Sequence, residues 1–166
     1  MSEGWDQISF WHERIVACAG QKSYKTPVQA AVYDCTDAHE EVIRARNRQA
    51  LMPHVQIGMR VLDVCCGFGA VRGLLPYDIT YIGFDLVPEF IEEARRIYGS
   101  LKEKTSFQCG TAQDVLALFP DNSFDLAIGR EIGSVADRFK TEIMRVSKKL
   151  VLLSTSLCHA SEVIEK

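Results

Sequence analysis

The sequence predicts one α/β domain, a mostly parallel sheet of about five strands with helices on both faces, preceded by a helical segment. Short β-rich runs alternate with segments of helical period over the C-terminal two thirds of the chain. A glycine-rich turn follows the first of these runs, and an acidic residue closes the second. At 166 residues the chain can bury one core and is too short for two domains of ordinary size. Residues 1–55 therefore read as the helical segment, a lid, and 56–166 as the core domain.

The segment opens with a helix from about Trp5 to Ala19, where Trp5, Ile8, Trp11, Ile15 and Ala19 recur at helical spacing. Periodicity fails between Gly20 and Cys35, a loop or short irregular helix carrying Tyr24, Pro27 and Tyr33. A second helix begins at Asp37, whose carboxylate can cap the first turn with Glu40 three residues on, and Pro53 ends it. Arg60–Val64 is the first strand, and Gly67, Gly69 and Gly73 lead from it into a short helix stopped by Pro76. Tyr81–Asp85 is the second strand. Pro88 opens the next helix, where its missing N–H costs nothing, and Phe90, Ile91, Ala94 and Ile97 give that helix an apolar face. Strands at Ser106–Cys109, Phe124–Ile128 and Leu150–Ser154 complete the count, with a helix opened by Ser134 before the last.

Composition excludes several function classes. The chain is 47% hydrophobic and 25% charged, with no apolar run near the ~20 residues of a membrane span. A start of Met1-Ser2-Glu3-Gly4 has no basic stretch followed by an apolar one, so no secretory signal is read and the cytoplasm is the expected location. The six cysteines form no C-x-x-C pair and the four histidines show no ligand spacing, so no metal is expected and the thiols read as small buried groups. A net charge of -3 disfavours nucleic acid as a partner.

The chemistry concentrates in Val61-Leu62-Asp63-Val64-Cys65-Cys66-Gly67-Phe68-Gly69, a buried strand running into a glycine turn. Glycines there let the backbone approach a ligand and adopt φ > 0. Eighteen residues after Gly67, Asp85 ends the second strand, where a carboxylate can accept both hydroxyls of a ribose. A nucleoside-containing ligand fits this pattern. The dinucleotide fingerprint G-x-G-x-x-G is broken, because Arg72 stands where its third glycine belongs. Asp63, just ahead of the turn, suits an ammonium better than a pyrophosphate. Asp125, in Ser-Phe-Asp-Leu, reads as a structural residue at a strand start.

These residues resemble the class I S-adenosylmethionine-dependent methyltransferases. The first motif is similar to that family's VLD-x-G-C-G-x-G, with Cys65 in place of the first glycine and Gly67 and Gly69 matching. Gly83 to Arg96 resembles the family's acidic strand end and following helix, and Gly110 to Ile128 its third and fourth strand region. The likeness covers roughly Ile57 to Ser154 and implies a Rossmann-like three-layer sandwich of strand order 3-2-1-4-5. It further implies S-adenosyl-L-methionine as cofactor, bound between Val61 and Asp125. Asp63, Cys65, Gly67 and Gly69 would border its methionine portion. Asp85 would bind the ribose, Leu86 would flank the adenine, and Ala112 and Gln113 would lie beside the adenine edge. Thr111 stands where the family often has an aspartate.

In methyl transfer the sulfonium already activates the methyl group, so the enzyme mainly aligns the acceptor and excludes water. Arg130 and Glu131, directly after the fourth strand, are the candidates for orienting or deprotonating the acceptor. The Asn/Asp-Pro-Pro-aromatic run of amino-methylating enzymes and the Pro-Cys loop of cytosine carbon methylation are both missing at Ile128-Gly129-Arg130-Glu131, and a small-molecule acceptor is expected. Trp11, Tyr24 and Tyr33 are expected over the site. The family usually adds two strands after the fifth, and only about a dozen residues follow Ser154, so a homodimer or partner protein is expected at the fifth-strand edge. The alternative is a non-catalytic methyltransferase-like scaffold or partner subunit, suggested by Cys65, Thr111 and the missing strands.

Overall fold

Val61, Leu62, Asp63 and Val64 are all withdrawn from solvent, because the strand they form, β1 (Arg60–Val64), lies inside the sheet with neighbours on both sides. This is a computed structural model, which describes residues 7–19, 26–32, 37–101, 103–154 and 161–166. On one side of β1 lie β2 (Thr80–Asp85) and then β3 (Thr105–Cys109). On the other lie β4 (Leu126–Arg130), β5 (Lys149–Leu153) and β6 (Glu162–Glu165). The order is β3-β2-β1-β4-β5-β6, with all pairs parallel except β5 with β6. The chain reverses its winding between β1 and β4, and in open α/β sheets the crevice at such a point binds ligands.

Helices cover both faces. Leu51, from α3 (Asp37–Leu51), and Ile91 and Ala94, from α4 (Pro88–Tyr98), join one core with Val61, Tyr81 and Ile128. Val115 and Leu116, from α5 (Ala112–Ala117), and Ile143 and Val146, from α6 (Gly133–Val146), join the second with Leu62, Phe84 and Leu150. The two helices α1 (Gln7–Cys18) and α2 (Pro27–Val32) lie against α4. Glu93 accepts hydrogen bonds from Thr26 Oγ1 at 2.8 Å and Gln29 Nε2 at 3.1 Å, and His12 Nδ1 meets Glu89 Oε1 at 2.7 Å. Among the described residues no helix is long and apolar enough to cross a membrane.

Several sequence expectations need correction. The sheet has six strands, not five, and β6 pairs antiparallel with β5 from Lys149↔Glu165 to Leu152↔Glu162. The fifth strand is therefore no edge, and a homodimer or partner protein has no unpaired β5 ladder to dock on. The short helix expected after the glycine turn is a single 3-10 turn, Arg72–Leu74. Buried Arg72 stops it by sending its guanidinium to the carbonyls of Leu75, Pro76 and Tyr77, while its Nε donates to Thr105 Oγ1. Helix α5 was not expected; Thr111 Oγ1 accepts from the Asp114 N–H and caps it. The fourth strand starts two residues later than read, because the Phe124 N–H and C=O bond to Val146 and Lys148 instead. Trp5 and the Asp37 side chain lie outside the described residues.

Asp125 sits at the start of β4, at the end of the sheet away from the crevice. Its Oδ2 accepts from the Arg60 N–H at 2.9 Å and its Oδ1 from Lys148 Nζ at 2.7 Å, which together hold its pKa below the ordinary value. The structural reading of this residue holds. Asp125→Asn is expected to lower the unfolding free energy by about 1 kcal/mol in urea titration, with no change in ligand affinity at the opposite end of the strands.

Candidate functional site

A cavity of about 430 Å³ opens at the carboxyl ends of β1, β2 and β4, within the ~300–1,000 Å³ of typical small-molecule sites. Its floor is the turn after β1. Cys65 and Gly67 line it, and both adopt left-handed backbone, at φ 53° and 54°. That conformation is free for glycine and costs about 1–2 kcal/mol for a residue with a Cβ, so Cys65 carries strain where the resembled motif has glycine. Burial pushes its thiol pKa up to about 12, so the group stays neutral. A Cβ on Gly67 would meet nothing within 4 Å.

Asp85, at the end of β2, faces this turn and is 8% exposed. Its Oδ2 accepts from the Gly67 N–H at 2.9 Å and its Oδ1 from the Val87 N–H at 3.0 Å. One carboxylate thus ties the glycine turn, the end of β2 and the entry to α4 together. Burial raises its pKa, and the backbone N–H groups pull it back. Each carboxylate oxygen retains further acceptor capacity for a ligand. Leu86, Val87 and Phe90 continue this wall as an apolar surface, and Trp11 closes it from α1, its ring edge-on to Phe90 at 5.2 Å.

The opposite wall comes from the segment after β4. Arg130, Glu131, Gly133 and Ser134 line it, with Ile132 and Val135 between them. Glu131 also has left-handed backbone, φ 55°, a strain that recurs at functional sites. Its N–H donates to Leu153 O at 3.1 Å and its Oε1 accepts from Ser154 Oγ at 3.0 Å, so the end of β5 aims it. The first residues of α6, Gly133, Ser134 and Val135, line the same space, so the positive end of the helix lies beside it.

Four of the expected cofactor residues, Cys65, Gly67, Asp85 and Leu86, come together here with Arg130 and Glu131. The other four do not line the cavity. Asp63 is fully buried; Tyr81 donates its hydroxyl to Asp63 Oδ2 at 2.5 Å, and Oδ1 has no partner. Burial raises its pKa from 3.8 to about 7, opposed by the Tyr81 bond and the charge of Arg130. Gly69 faces aromatic rings instead of ligand space, since a Cβ there would lie 2.9 Å from Tyr98 Cε2 and 3.0 Å from Phe107 Cε1. Ala112 and Gln113 belong to α5, whose cap at Thr111 turns Ala112 onto the second core and Gln113 to solvent. Trp11 is over the site as expected, whereas Tyr24 and Tyr33 lie outside the described residues. Phe90, Ser134 and Val135 were read only as helix positions, and Val87 only as part of the stretch Gly83 to Arg96. The Tyr81–Asp63 bond had no signal in the sequence, because it needs the register that sets Val61 beside Tyr81.

Fold and cavity together define an open α/β protein with a crevice of small-molecule size at the carboxyl ends of its strands. The family model described as "Methyltransferase domain" matches residues 61–150, so the chain belongs to that family, and the resemblance to class I methyltransferases, which use S-adenosylmethionine as methyl donor, holds. Solved structures share the fold. Haemonchus contortus phosphoethanolamine N-methyltransferase 1, solved with phosphoethanolamine and S-adenosylhomocysteine, is 17% identical at a TM-score of 0.63 over 87% of this chain and 30% of its own. The YcgJ protein from Bacillus subtilis is 26% identical at a TM-score of 0.52 over 69% of this chain and 49% of its own. A Thiobacillus denitrificans SAM-dependent methyltransferase, solved with S-adenosylhomocysteine, is 22% identical at a TM-score of 0.50 over 70% of this chain and 48% of its own. The chain thus spans between about a third and a half of these solved chains. Among curated proteins none matches.

The two glycines of the turn should separate in their responses. Gly67→Ala is expected to cost about 1 kcal/mol of stability from backbone alone, while Gly69→Ala adds about 1–3 kcal/mol for crowding the Tyr98 and Phe107 rings; denaturant midpoints read the difference. A carboxyl whose pKa rises on folding binds more protons in the folded state, so the Asp63 contribution to stability falls as pH climbs from about 4 to about 7. Asp63→Asn, isosteric with the protonated acid, should match the parent in urea at about pH 3 and exceed it by a growing margin up to about pH 8.

Proposed function

We propose that the chain binds S-adenosylmethionine in this cavity and transfers its methyl group to a small-molecule acceptor. The observation that carries the proposal is Asp85: a carboxylate fixed by two backbone N–H bonds beside a glycine turn, with acceptor capacity left over, at the crevice where the winding of the sheet reverses. The residues present fit the cofactor. Gly67 leaves open space where a Cβ would stand, Leu86, Val87 and Phe90 offer an apolar face to an adenine, and Asp85 accepts ribose hydroxyls. The positive end of α6 and Arg130 suit a carboxylate.

When bound, the cofactor supplies a methyl group on a sulfonium that needs no further activation. The chain's own residues then bind and align. Trp11 and Phe90 narrow the entrance and exclude water, and Arg130 and Glu131 hold the acceptor, with Glu131 placed to take a proton from it. A cavity of small-molecule size, with Trp11 of α1 in its wall, supports a small acceptor. Cys65, whose side chain enters the wall where glycine is usual, supports a second reading in which the domain holds the cofactor without turnover.

Calorimetric titration with S-adenosylhomocysteine is expected to give saturable binding, weakened roughly tenfold to a hundredfold by Asp85→Asn for the loss of one charge-assisted bond. Formation of S-adenosylhomocysteine from S-adenosylmethionine in the presence of small acceptors tests the transfer. Protein that takes up neither compound overturns the proposal, and uptake without turnover favours the second reading.

A further inference from the structure

We infer that Gly129 and Ile132 act as a pair that sets how large a group the acceptor side of the cavity admits, an inference that rests on the proposed methyl transfer. Gly129 lies inside β4, paired with Val64 of β1 and Leu152 of β5. Its backbone is not left-handed, so conformation does not call for glycine there. Space does. A Cβ at this position would stand 2.2 Å from Ile132 Cδ1 and 2.7 Å from Ile132 Cγ1, well inside the ~3.5–4.0 Å at which non-bonded carbons settle. Glycine inside a strand marks close approach of this kind. Ile132 lays its side chain back across the bare end of β4, buried, and belongs at once to the second core and to the cavity wall.

Little else at this place can give. The Ile132 backbone is fixed as the entry to α6, its carbonyl accepting from the Val135 N–H at 2.7 Å and the Ala136 N–H at 3.1 Å. Behind it the core is closed: Leu152 Cδ2 stands 3.4 Å from the same Cβ position, and Ile143 and Leu150 of that core are fully buried. The open side is the cavity. A methyl added at 129 therefore turns the isoleucine toward the ligand space, and a shorter side chain at 132 draws the wall back. In methyl transfer the group on the sulfur must face the acceptor, and the residues proposed to hold the acceptor, Arg130 and Glu131, line the same wall directly before Ile132. The sulfur substituent and the acceptor beyond it thus share the space that Ile132 bounds.

The test is calorimetric titration of the full chain with S-adenosylmethionine and with S-adenosylethionine, which carries one methylene more on the same sulfonium. The readout is the ratio of the two dissociation constants within each variant, so a general loss of affinity cancels. The parent is expected to favour the methyl compound. Ile132→Val should reduce that preference roughly fourfold, the worth of one buried methylene, Ile132→Ala should reduce it at least as far, and Gly129→Ala should increase it. The two Ile132 variants carry the test by themselves where Gly129→Ala does not fold. A parent that takes both compounds equally, ratios that stay within about twofold of the parent's in every variant, or a shift in the same direction from both positions overturns the inference while leaving cofactor uptake in place. A parent that takes up neither compound, nor S-adenosylhomocysteine, overturns the proposed function and this inference with it.

Discussion

The Asp85 carboxylate is the constraint on which the rest of the site depends. It stands at the end of β2, yet its two hydrogen bonds go to Gly67 after β1 and Val87 before α4. Three separate segments are held at one point by a side chain of one and backbone N–H groups of the other two. Because backbone N–H groups are the partners, no side chain on the turn is needed, and the glycine at 67 can present bare backbone to the cavity. Asp85 is thus a structural tie within the chain, and under the proposed function it is also the acceptor for the ligand's hydroxyls.

The cost of this arrangement is stored close by. Asp63 is buried with one oxygen unpartnered, Cys65 and Glu131 hold left-handed backbone, and the Cys66 thiol and the Asp85 carboxylate crowd the same ends of β1 and β2. A buried carboxyl with half its bonding capacity unmet is destabilising unless protonated or paired. The Tyr81 hydroxyl and the nearby charge of Arg130 relieve it only partly.

The opposite ends of the strands show the complementary design. There Asp125 binds Arg60 and Lys148, Arg72 satisfies three carbonyls, and Arg145 donates to Phe119 O and Leu116 O, so polar groups close the fold instead of opening it. The sheet is tied shut at its amino ends and kept open at its carboxyl ends. With β6 covering β5, the strand expected to need a partner is already paired within the chain.

The sequence by itself determined the alternation of strands and helices, the glycine turn, and the acid eighteen residues beyond it. These features are local: each depends on periodicity or on a residue's own backbone preference, which reads the same in any context. Boundaries held to within a residue or two for β1, β2 and β3, where β-rich runs meet glycine or proline. Only the tertiary structure decided which motif residues face the cavity. Gly67 and Gly69 look alike in sequence and differ because Tyr98 and Phe107, brought in by α4 and β3, stand over the second and not the first. Asp63 and Asp85 both end apolar strands, yet register gives one a tyrosine inside the core and the other a pair of backbone donors at the rim. The same holds for β6, whose four residues carry no strong strand signal and find their place because β5 offers an open ladder.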